Sequence, residues 1–210
     1  MTPTPSAGPT PTPTPTRLRI LDAAERLMRT IGLVRATTKE IAAAAECSEA
    51  TLYKYFSSKE ELFVAVLQER LPPLGPLLVA LTESPGDRST EQCLTEIAHE
   101  ACLFYEASAA ISASLFADPS LLRRHIDGLR PLGRGPHHPL HALAAFLRTE
   151  RAHGRIRKDA DPDAASALLL GACFQRALLA PFLSEPPEPV DAFAASLART
   201  LVTGLDPTGS

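Results

Sequence analysis

Cysteine is scarce in this sequence, and its four cysteines stand far apart. Cys47, Cys93, Cys102 and Cys173 form no C-x-x-C pair, which excludes a zinc ribbon and argues against a disulfide framework. We therefore expect buried, reduced thiols. A redox-sensing function would use Cys93 and Cys102 as its pair.

Excess charge of either sign is also absent. The formal net charge is −3, and residues 1–71 contain nine Lys or Arg against eight Asp or Glu. Proteins that coat DNA without sequence preference depend on large basic surfaces and many released counterions, so this composition excludes that class. Specific DNA binding would have to rest on a few well-placed phosphate contacts.

Long apolar runs are missing as well. The N-terminal segment TPTPSAGPTPTPTP contains six prolines and no apolar stretch, which predicts a disordered or polyproline-like Thr/Pro-rich tail over residues 1–15. Because this start has neither basic residues nor an apolar stretch, it does not look like a secretory signal. No later run looks long enough to span a membrane, so we expect a cytoplasmic protein without a membrane partner.

The sequence lacks strand-like alternation, a nucleophile elbow and a glycine-rich phosphate loop, and it offers helical periodicity instead. We predict an all-α fold with a three-helix head over residues 16–71 and a larger helical body over residues 72–206. Pro72-Pro73 and Gly75-Pro76 mark the boundary, because both motifs end or kink a helix. Helices of the body are expected near 89–108, 108–117, 120–129, 139–153, 162–180 and 189–204.

The first helix of the head is predicted from a stripe at helical spacing, formed by Ile20, Ala24, Leu27 and Ile31. Gly32 follows where a helix C-cap would lie.

Residues 37–62, TTKEIAAAAECSEATLYKYFSSKEEL, predict two short helices, a tight turn and the start of a third helix. Thr37 and Glu40 have capping-box spacing, so a helix begins near Thr38. Ser48 is suited to cap the next helix. Ser58-x-x-Glu61 repeats the capping box and starts the third helix.

The middle helix of this segment has the size and surface of a DNA recognition helix. Leu52 and Phe56 are four residues apart and face the core, which leaves a small, polar and aromatic face outward. A helix of ~8 residues is about 12 Å long and fits a major groove. An ordinary helical hairpin would show the same pattern. The residues that we assign to DNA contact are Thr38, Lys39, Ser48, Glu49, Ala50, Thr51, Tyr53, Lys54, Tyr55 and Lys59.

Arg17 and Arg19 flank the first helix and allow two interpretations. Charge runs of this kind usually form a solvated face. Alternatively, both arginines reach an adjacent minor groove, as basic arms do in other three-helix DNA-binding proteins.

The pattern T-T-x-x-I-A-x-x-A followed by S-x-x-T-L-Y-x-Y-F-x-S-K-E-x-L resembles the DNA-binding domain of the TetR/AcrR family of transcriptional regulators. The resemblance covers Thr37 to Leu62 nearly position by position, and about 55 residues with the first helix. It implies a homodimeric repressor that leaves a palindromic operator in double-stranded DNA when a small effector binds its body. One position departs, because Glu46 stands at the turn where the family usually has glycine. A left-handed backbone there would strain the side chain.

The last two predicted helices have surfaces suited to a dimer interface. Packing two such hairpins around a two-fold axis would give an intersubunit four-helix bundle, as the TetR resemblance also implies. Alternatively, both helices complete the core of one subunit. The smooth face consists of Ala164, Ala165, Leu168, Gly171 and Ala172, and the apolar stripe of Val190, Phe193, Leu197 and Leu201.

The resemblance also implies a cavity for a small apolar or aromatic effector between the middle helices of the body. Aromatic residues with a few polar neighbours would line it, although helical aromatics commonly form ordinary core. The candidates are His99, Cys102, Phe104, Tyr105, Phe116, Phe146, Phe174 and Gln175.

Two Glu-x-x-His motifs raise the alternative of a metal-dependent, di-iron-like helical-bundle enzyme. Glu96-x-x-His99 and Glu150-x-x-His153 would supply half of such a site. The helices over 162–180 and 189–204 contain no glutamate for the other half, so we assign no catalytic residue, metal or cofactor. His137-His138-x-x-His141 has a spacing that suits a transition metal, which leaves a metal-sensing regulator as a variant.

Overall fold

The computed structural model describes residues 14–84, 86–130 and 135–205, and all regular structure within these ranges is helical. This agrees with the predicted all-α fold. Residues 1–13 of the predicted Thr/Pro-rich tail and the predicted end of the body at 206 lie outside the described residues. The helices are α1 Pro15–Arg35, α2 Thr38–Ala44, α3 Glu49–Tyr55, α4 Lys59–Glu69, α5 Leu74–Glu83, α6 Thr90–Phe116, α7 Pro119–Leu129, α8 His138–Ala152, α9 Pro162–Leu179, a 3-10 turn Ala180–Phe182, and α10 Val190–Leu205.

The first helix, α1, breaks at the glycine where the sequence predicted a cap. Gly32 has a φ of 80°, which lies in the region that favours glycine. The predicted apolar stripe was wrong at Ile31, which is 39% exposed, and it missed Leu21 and Met28, which are fully buried. Helices α2, α3, α4 and α6 all pack against α1. The buried face of α1 is therefore wider than the stripe predicted from spacing alone, and it points in a different direction around the helix.

The longest helix, α6, links the body to the head. It runs unbroken over 27 residues, so the predicted separate helices over 89–108 and 108–117 were wrong. No proline or glycine lies at the expected break, and buried Ser108 keeps its hydroxyl satisfied by donating to the carbonyl of Tyr105. Ile111 and Leu115, near the end of α6, belong to the apolar core of the head.

Helix α5 was missed by the sequence analysis, which treated its start as a boundary only. Pro76 lies in the first turn of α5, where a missing amide hydrogen costs no helical hydrogen bond. Leu74, Leu78 and Leu81 are buried in the body core. A bend of 62° separates α5 from α4. The prolines at 72 and 73 lie at this bend, next to the predicted division of head and body.

The turn between α2 and α3 is a Schellman motif with glutamate at its left-handed position. Glu46 has a φ of 53°. The amide of Glu46 donates to the carbonyl of Ala43 at 3.1 Å, and the amide of Cys47 donates to that of Ala42 at 2.9 Å. These two bonds satisfy carbonyls at the end of α2. The sequence-based concern about this turn is confirmed, since the backbone adopts the conformation that glycine would accept without strain.

We expect Glu46→Gly to raise the free energy of unfolding by about 1 kcal/mol, since it relieves a left-handed side chain at some cost in chain entropy. Glu46→Ala keeps the Cβ and should show no such gain. Urea unfolding of the three proteins measures the difference.

The end of α8 provides the matched reverse experiment. Gly154 has a φ of 73° and donates to the carbonyl of Arg151 in the same motif. An added Cβ there would meet nothing within 4 Å. Gly154→Ala should therefore lower the free energy of unfolding by about 1 kcal/mol. Equal stability of Glu46→Gly and wild type, beside a destabilised Gly154→Ala, would show that Glu46 is not strained.

Candidate DNA-binding surface and ligand-binding body

The start of α2 is fixed by the predicted capping box, which is confirmed. The hydroxyl of Thr37 accepts from the amide of Glu40 at 3.2 Å, and the Glu40 carboxylate accepts from the amide of Thr37 at 2.9 Å. The bond from the Thr37 backbone is also the largest cause that holds the pKa of Glu40 below its usual range. Glu40 thus stays ionised and serves the helix start.

Helix α3 is short, capped and anchored on one side only. The Ser48 hydroxyl accepts from the amide of Thr51 at 3.0 Å, as predicted, and lies 2.8 Å from the Thr51 hydroxyl. Leu52 and Phe56 are buried, which confirms the predicted core-facing pair. Seven residues give a length of about 10 Å, so α3 can lie within a major groove.

The outward faces of α2 and α3 form one continuous polar surface. The Thr38 hydroxyl donates to the Glu49 carboxylate at 2.5 Å, and the Tyr53 hydroxyl donates to Thr38 at 3.5 Å. Tyr53 is 48% exposed. Lys39, Ala50 and Lys54 are exposed around this cluster. We call the outward side chains of α2 and α3 from Thr38 to Lys54 the α2–α3 surface.

The predicted second capping box is only half formed at the start of α4. Ser58 accepts from the amide of Glu61 at 3.0 Å as expected. The Glu61 carboxylate, however, accepts from the amide of Ser57 at 2.6 Å and from its hydroxyl. The glutamate therefore holds the residue before the N-cap, which fixes how the chain leaves α3.

Lys59, assigned to phosphate contact, bridges two helices of the head. Its ammonium donates to the carbonyl of Leu33, beyond the break in α1, at 2.6 Å. Burial is the main cause that lowers the pKa of Lys59. Two further protons remain on the ammonium, so a phosphate contact stays a prediction beside this structural role.

Arg17 is held by α4, and the minor-groove interpretation of this residue was wrong. Its guanidinium donates to both carboxylate oxygens of Glu69, at 2.6 and 2.7 Å. It also lies 5.2 Å from the ring centre of Phe56. A bidentate pair with an aromatic contact fixes the side chain on the head itself. Arg19 remains exposed.

Three predicted pocket residues lie together between α6 and α9. Tyr105 makes edge-to-face contacts with Phe104 and with Phe174, each at a ring-centre distance of 5.5 Å. Burial raises the pKa of Tyr105 to about 12. Cys102 and Phe146 lie deeper, in the apolar core of the body. An effector site beside this aromatic group stays a prediction.

The remaining three candidates do not join that group. Phe116 is 64% exposed at the far end of α6, and Gln175 is exposed on α9. His99 lies in an open groove of about 750 Å³ between the starts of α6 and α10, where its Nε2 is 3.2 Å from Asp191. Helical spacing cannot show that α6 is long enough to carry these residues to different places.

An exposed apolar face runs the length of α9. It recurs at spacings of four and three residues, so all members lie on one side of the helix. Leu168 is 66% exposed and Phe182 is 81% exposed. We define the α9 face by Ala164, Leu168, Gly171, Gln175, Leu178 and Phe182. By contrast, the predicted stripe on α10 packs partly against the core of its own subunit.

Comparisons with known proteins agree with the helical head. The family model described as bacterial regulatory proteins, tetR family, matches residues 20–66. An uncharacterized helix-turn-helix transcriptional regulator of Mycobacterium tuberculosis strain H37Rv is 49% identical over 57 residues. That match covers 27% of this chain and 28% of the relative. Residues 20–66 of the chain are therefore similar to the bacterial regulatory proteins of the tetR family.

Solved structures extend the likeness to the whole TetR-like fold. The FadR regulator of Bacillus subtilis, solved with stearoyl-CoA, has a TM-score of 0.65 at 18% identity, covering 90% of this chain and 98% of FadR. Salmonella enterica GusR has a TM-score of 0.63 at 25% identity, covering 91% and 95% of the two chains. The N-terminal helix-turn-helix and the larger helical body are therefore arranged as in TetR proteins.

The glutamates of the two Glu-x-x-His motifs form structural pairs in this chain. The Glu150 carboxylate accepts from Thr90 at 2.5 Å and from Arg155, whose Nε lies 2.8 Å away. Glu96 pairs with Arg88 at 2.7 Å. Because both glutamates are engaged in these bonds, the helical-bundle enzyme alternative gains no support from the two motifs. His153 is the C-cap residue of α8, where its backbone amide donates to the carbonyl of Thr149.

The three histidines at the start of α8 do cluster. The ring centres of His138 and His141 lie 4.6 and 5.2 Å from that of His137. Even so, over residues 14–84, 86–130 and 135–205 no three His, Cys, Asp or Glu side chains are grouped so that they could hold a metal ion. The metal-sensing variant therefore gains no support from this cluster.

One segment is longer and more apolar than the sequence analysis recognised. Pro162–Phe182 meets the length and composition of a membrane-spanning helix, as a core helix of a soluble protein also can. Its inner side, with Leu169, Leu170 and Cys173, packs into the body core. The outer side is the α9 face.

Proposed function

We propose that the chain is a ligand-responsive transcriptional repressor that binds a palindromic operator as a homodimer. The α2–α3 surface carries this proposal, because it presents a short, capped helix with exposed polar and aromatic side chains beside two lysines. Backbone amides at the starts of α2 and α4 add donors for phosphates. The head is near neutral, so two paired heads are needed for useful affinity.

The α9 face supplies the means of pairing. A second copy of the face, related by a two-fold axis, would cover the exposed leucines and Phe182 of the first. Gly171 and Ala164 allow the helices to approach closely. The two heads would then present their α3 helices to successive major grooves, ~34 Å apart.

The effector is proposed to be a small molecule with an apolar or aromatic part, bound beside Phe104, Tyr105 and Phe174. FadR, which shares this fold, was solved with a molecule that has a long acyl chain. Helix α6 carries Phe104 and Tyr105 and also reaches into the head through Ile111 and Leu115. A ligand that favours one placement of α6 over another would thereby change the spacing of the heads.

Selection of bound fragments from genomic DNA at moderate salt tests the function. We expect enrichment of one palindrome with half-sites about one helical turn apart. Recovery of fragments without a common sequence would contradict operator binding. The effector switch is tested separately with stearoyl-CoA and aromatic probes. A true effector must bind more weakly in the presence of operator, since coupling between the two sites is reciprocal.

Within the proposed interface, Tyr53→Ala should weaken operator binding. Loss of about 1 kcal/mol in each head corresponds to roughly 30-fold lower affinity for the dimer. Fluorescence anisotropy with the selected operator measures the effect. Ile126→Ala on α7, where the side chain is 47% exposed, is the matched control and should bind normally. Equal losses in both variants would remove Tyr53 from the interface.

A further inference from the structure

Two sulfur atoms from distant parts of the chain meet inside the body. Cys102 on α6 and Cys173 on α9 are both completely buried. The Cys173 thiol donates to the carbonyl of Ala98 at 3.5 Å, one helical turn before Cys102. Cys102 and Cys173 are also close enough for each to shift the pKa of the other. Helices α6 and α9 thus approach closely at this point.

The redox pair expected from the sequence cannot form a disulfide. Cys93 and Cys102 lie on the same unbroken helix, nine residues and about 13 Å apart along its axis. A disulfide needs Cα atoms within about 7 Å. In the structure, the cysteine that neighbours Cys102 is Cys173 and not Cys93.

The surroundings make the two sulfurs unequal. The hydrogen bond from Cys173 is the largest cause that lowers the pKa of Cys102, against burial, and the charge of Arg176 adds to it. Arg176 is itself held by Glu106 at 3.1 Å and lies 5.1 Å from the ring centre of Phe193. The pKa of Cys173 is raised by its interaction with Cys102 and by burial. One sulfur is prepared to attack while the other keeps its proton.

We propose that Cys102 and Cys173 are a peroxide-reactive dithiol that closes to a disulfide joining α6 to α9. The Cys102 thiolate attacks one oxygen of hydrogen peroxide, the O–O bond breaks, and sulfenic acid and hydroxide result. The Cys173 sulfur then attacks the Cys102 sulfur. The S–O bond breaks, the S–S bond forms, and the Cys173 proton leaves in water. The sulfurs lose two electrons, and peroxide is reduced to one water and one hydroxide, which becomes the second water by taking up the proton that Cys102 released on ionising.

The neighbour of Cys173 on α9 is a partly exposed aromatic residue. Phe174 is 40% exposed and closes over Tyr105. Because neither sulfur is exposed, a transient local separation of α6 and α9 must admit the peroxide. The reaction should therefore be slower than oxidation of the half-buried Cys47, which provides an internal measure of oxidant strength.

Peptide mass spectrometry of the full chain tests the proposal. After peroxide treatment, alkylation of free thiols and tryptic digestion, we expect peptide 89–123 linked to peptide 159–176, with the loss of two hydrogens. Fragmentation must place the bond at Cys102 rather than at Cys93. Dithiothreitol should reverse the link.

Variants separate the two sulfur roles. Cys93→Ser should retain the linked peptide, whereas Cys102→Ser should lose it. In Cys173→Ser, dimedone should trap sulfenic acid on Cys102, since no second sulfur is present to resolve it. Wild-type protein should also be unfolded and alkylated after peroxide treatment. If Cys102 and Cys173 are then fully alkylated while Cys47 has been oxidised, the pair is inert and the proposal is overturned. A bond placed at Cys93 would overturn it as well.

Discussion

Replacement of Arg155 by alanine is expected to lower the free energy of unfolding by about 3 kcal/mol. The reason is that the substitution leaves the carboxylate of Glu150 without its charged partner. The Glu150 side chain is only 2% exposed. Without Arg155 it keeps one hydrogen bond from Thr90, yet its charge is buried and unpaired. Urea unfolding measures the loss, and the midpoint of thermal unfolding should fall by roughly 10 °C.

The pH dependence of this variant identifies the cause. Burial alone would raise the pKa of Glu150, but hydrogen bonds from Arg155 and Thr90 outweigh it, so the pKa lies below its ordinary value. A carboxyl with a depressed folded-state pKa contributes stability above its unfolded pKa, about 4.3, and loses it as the pH falls through the folded value. Wild type should therefore lose stability on acidification.

In Arg155→Ala the pKa shift of the Glu150 carboxyl is expected to reverse direction. Burial then dominates and raises its pKa above the unfolded value, so the folded state takes up a proton more readily as the pH falls toward about 4. The variant should thus approach wild-type stability at acid pH. Arg157→Ala, which removes an exposed pair with Asp159, is the control and should change stability little at any pH. If the difference in unfolding free energy between Arg155→Ala and wild type were independent of pH, lost packing and not charge would be responsible.

Signals that act over three or four residues were predictable from the sequence. The Thr37 and Glu40 capping box, the Ser48 cap and the strained turn at Glu46 are confirmed because each depends on neighbouring backbone groups. The order of side chain types alone determines which amide a hydroxyl can reach. For the same reason the ends of α7 to α10 lie close to their predicted positions.

Pairings across the chain were not predictable. Arg17 meets Glu69 over 52 residues, and Cys173 meets the turn that holds Cys102. Such contacts follow from how helices cross, and crossing angles depend on the packing of whole faces. The effector-site prediction failed in part for this reason, since Phe116 lies on the same helix as Phe104 but more than three turns away.

The α9 face gives the prediction with the largest effect on DNA binding. We expect Leu168→Glu to abolish the proposed dimer, because two-fold symmetry brings both new carboxylates into one apolar interface. At about 2 kcal/mol or more for each buried charge, the dissociation constant should rise at least ~1,000-fold. Sedimentation equilibrium measures it directly. Leu168 is 66% exposed in the single chain, so folding should be unaffected.

Val79→Glu provides the control for Leu168→Glu. Val79 is 54% exposed on α5, outside the α9 face, so a carboxylate there changes charge equally without entering the interface. This variant should remain dimeric and bind operator normally. A dimeric Leu168→Glu with wild-type affinity would place the subunit contact elsewhere.

The same pair of variants separates the contribution of one head from that of two. A monomeric Leu168→Glu keeps its α2–α3 surface, so it should still recognise a half-site, but without the added affinity that a linked second head provides. Because the head is near neutral, one head alone should bind weakly even at low salt. If the monomer instead bound the full operator as tightly as Val79→Glu, the α2–α3 surface would suffice, and pairing would not be the basis of operator affinity.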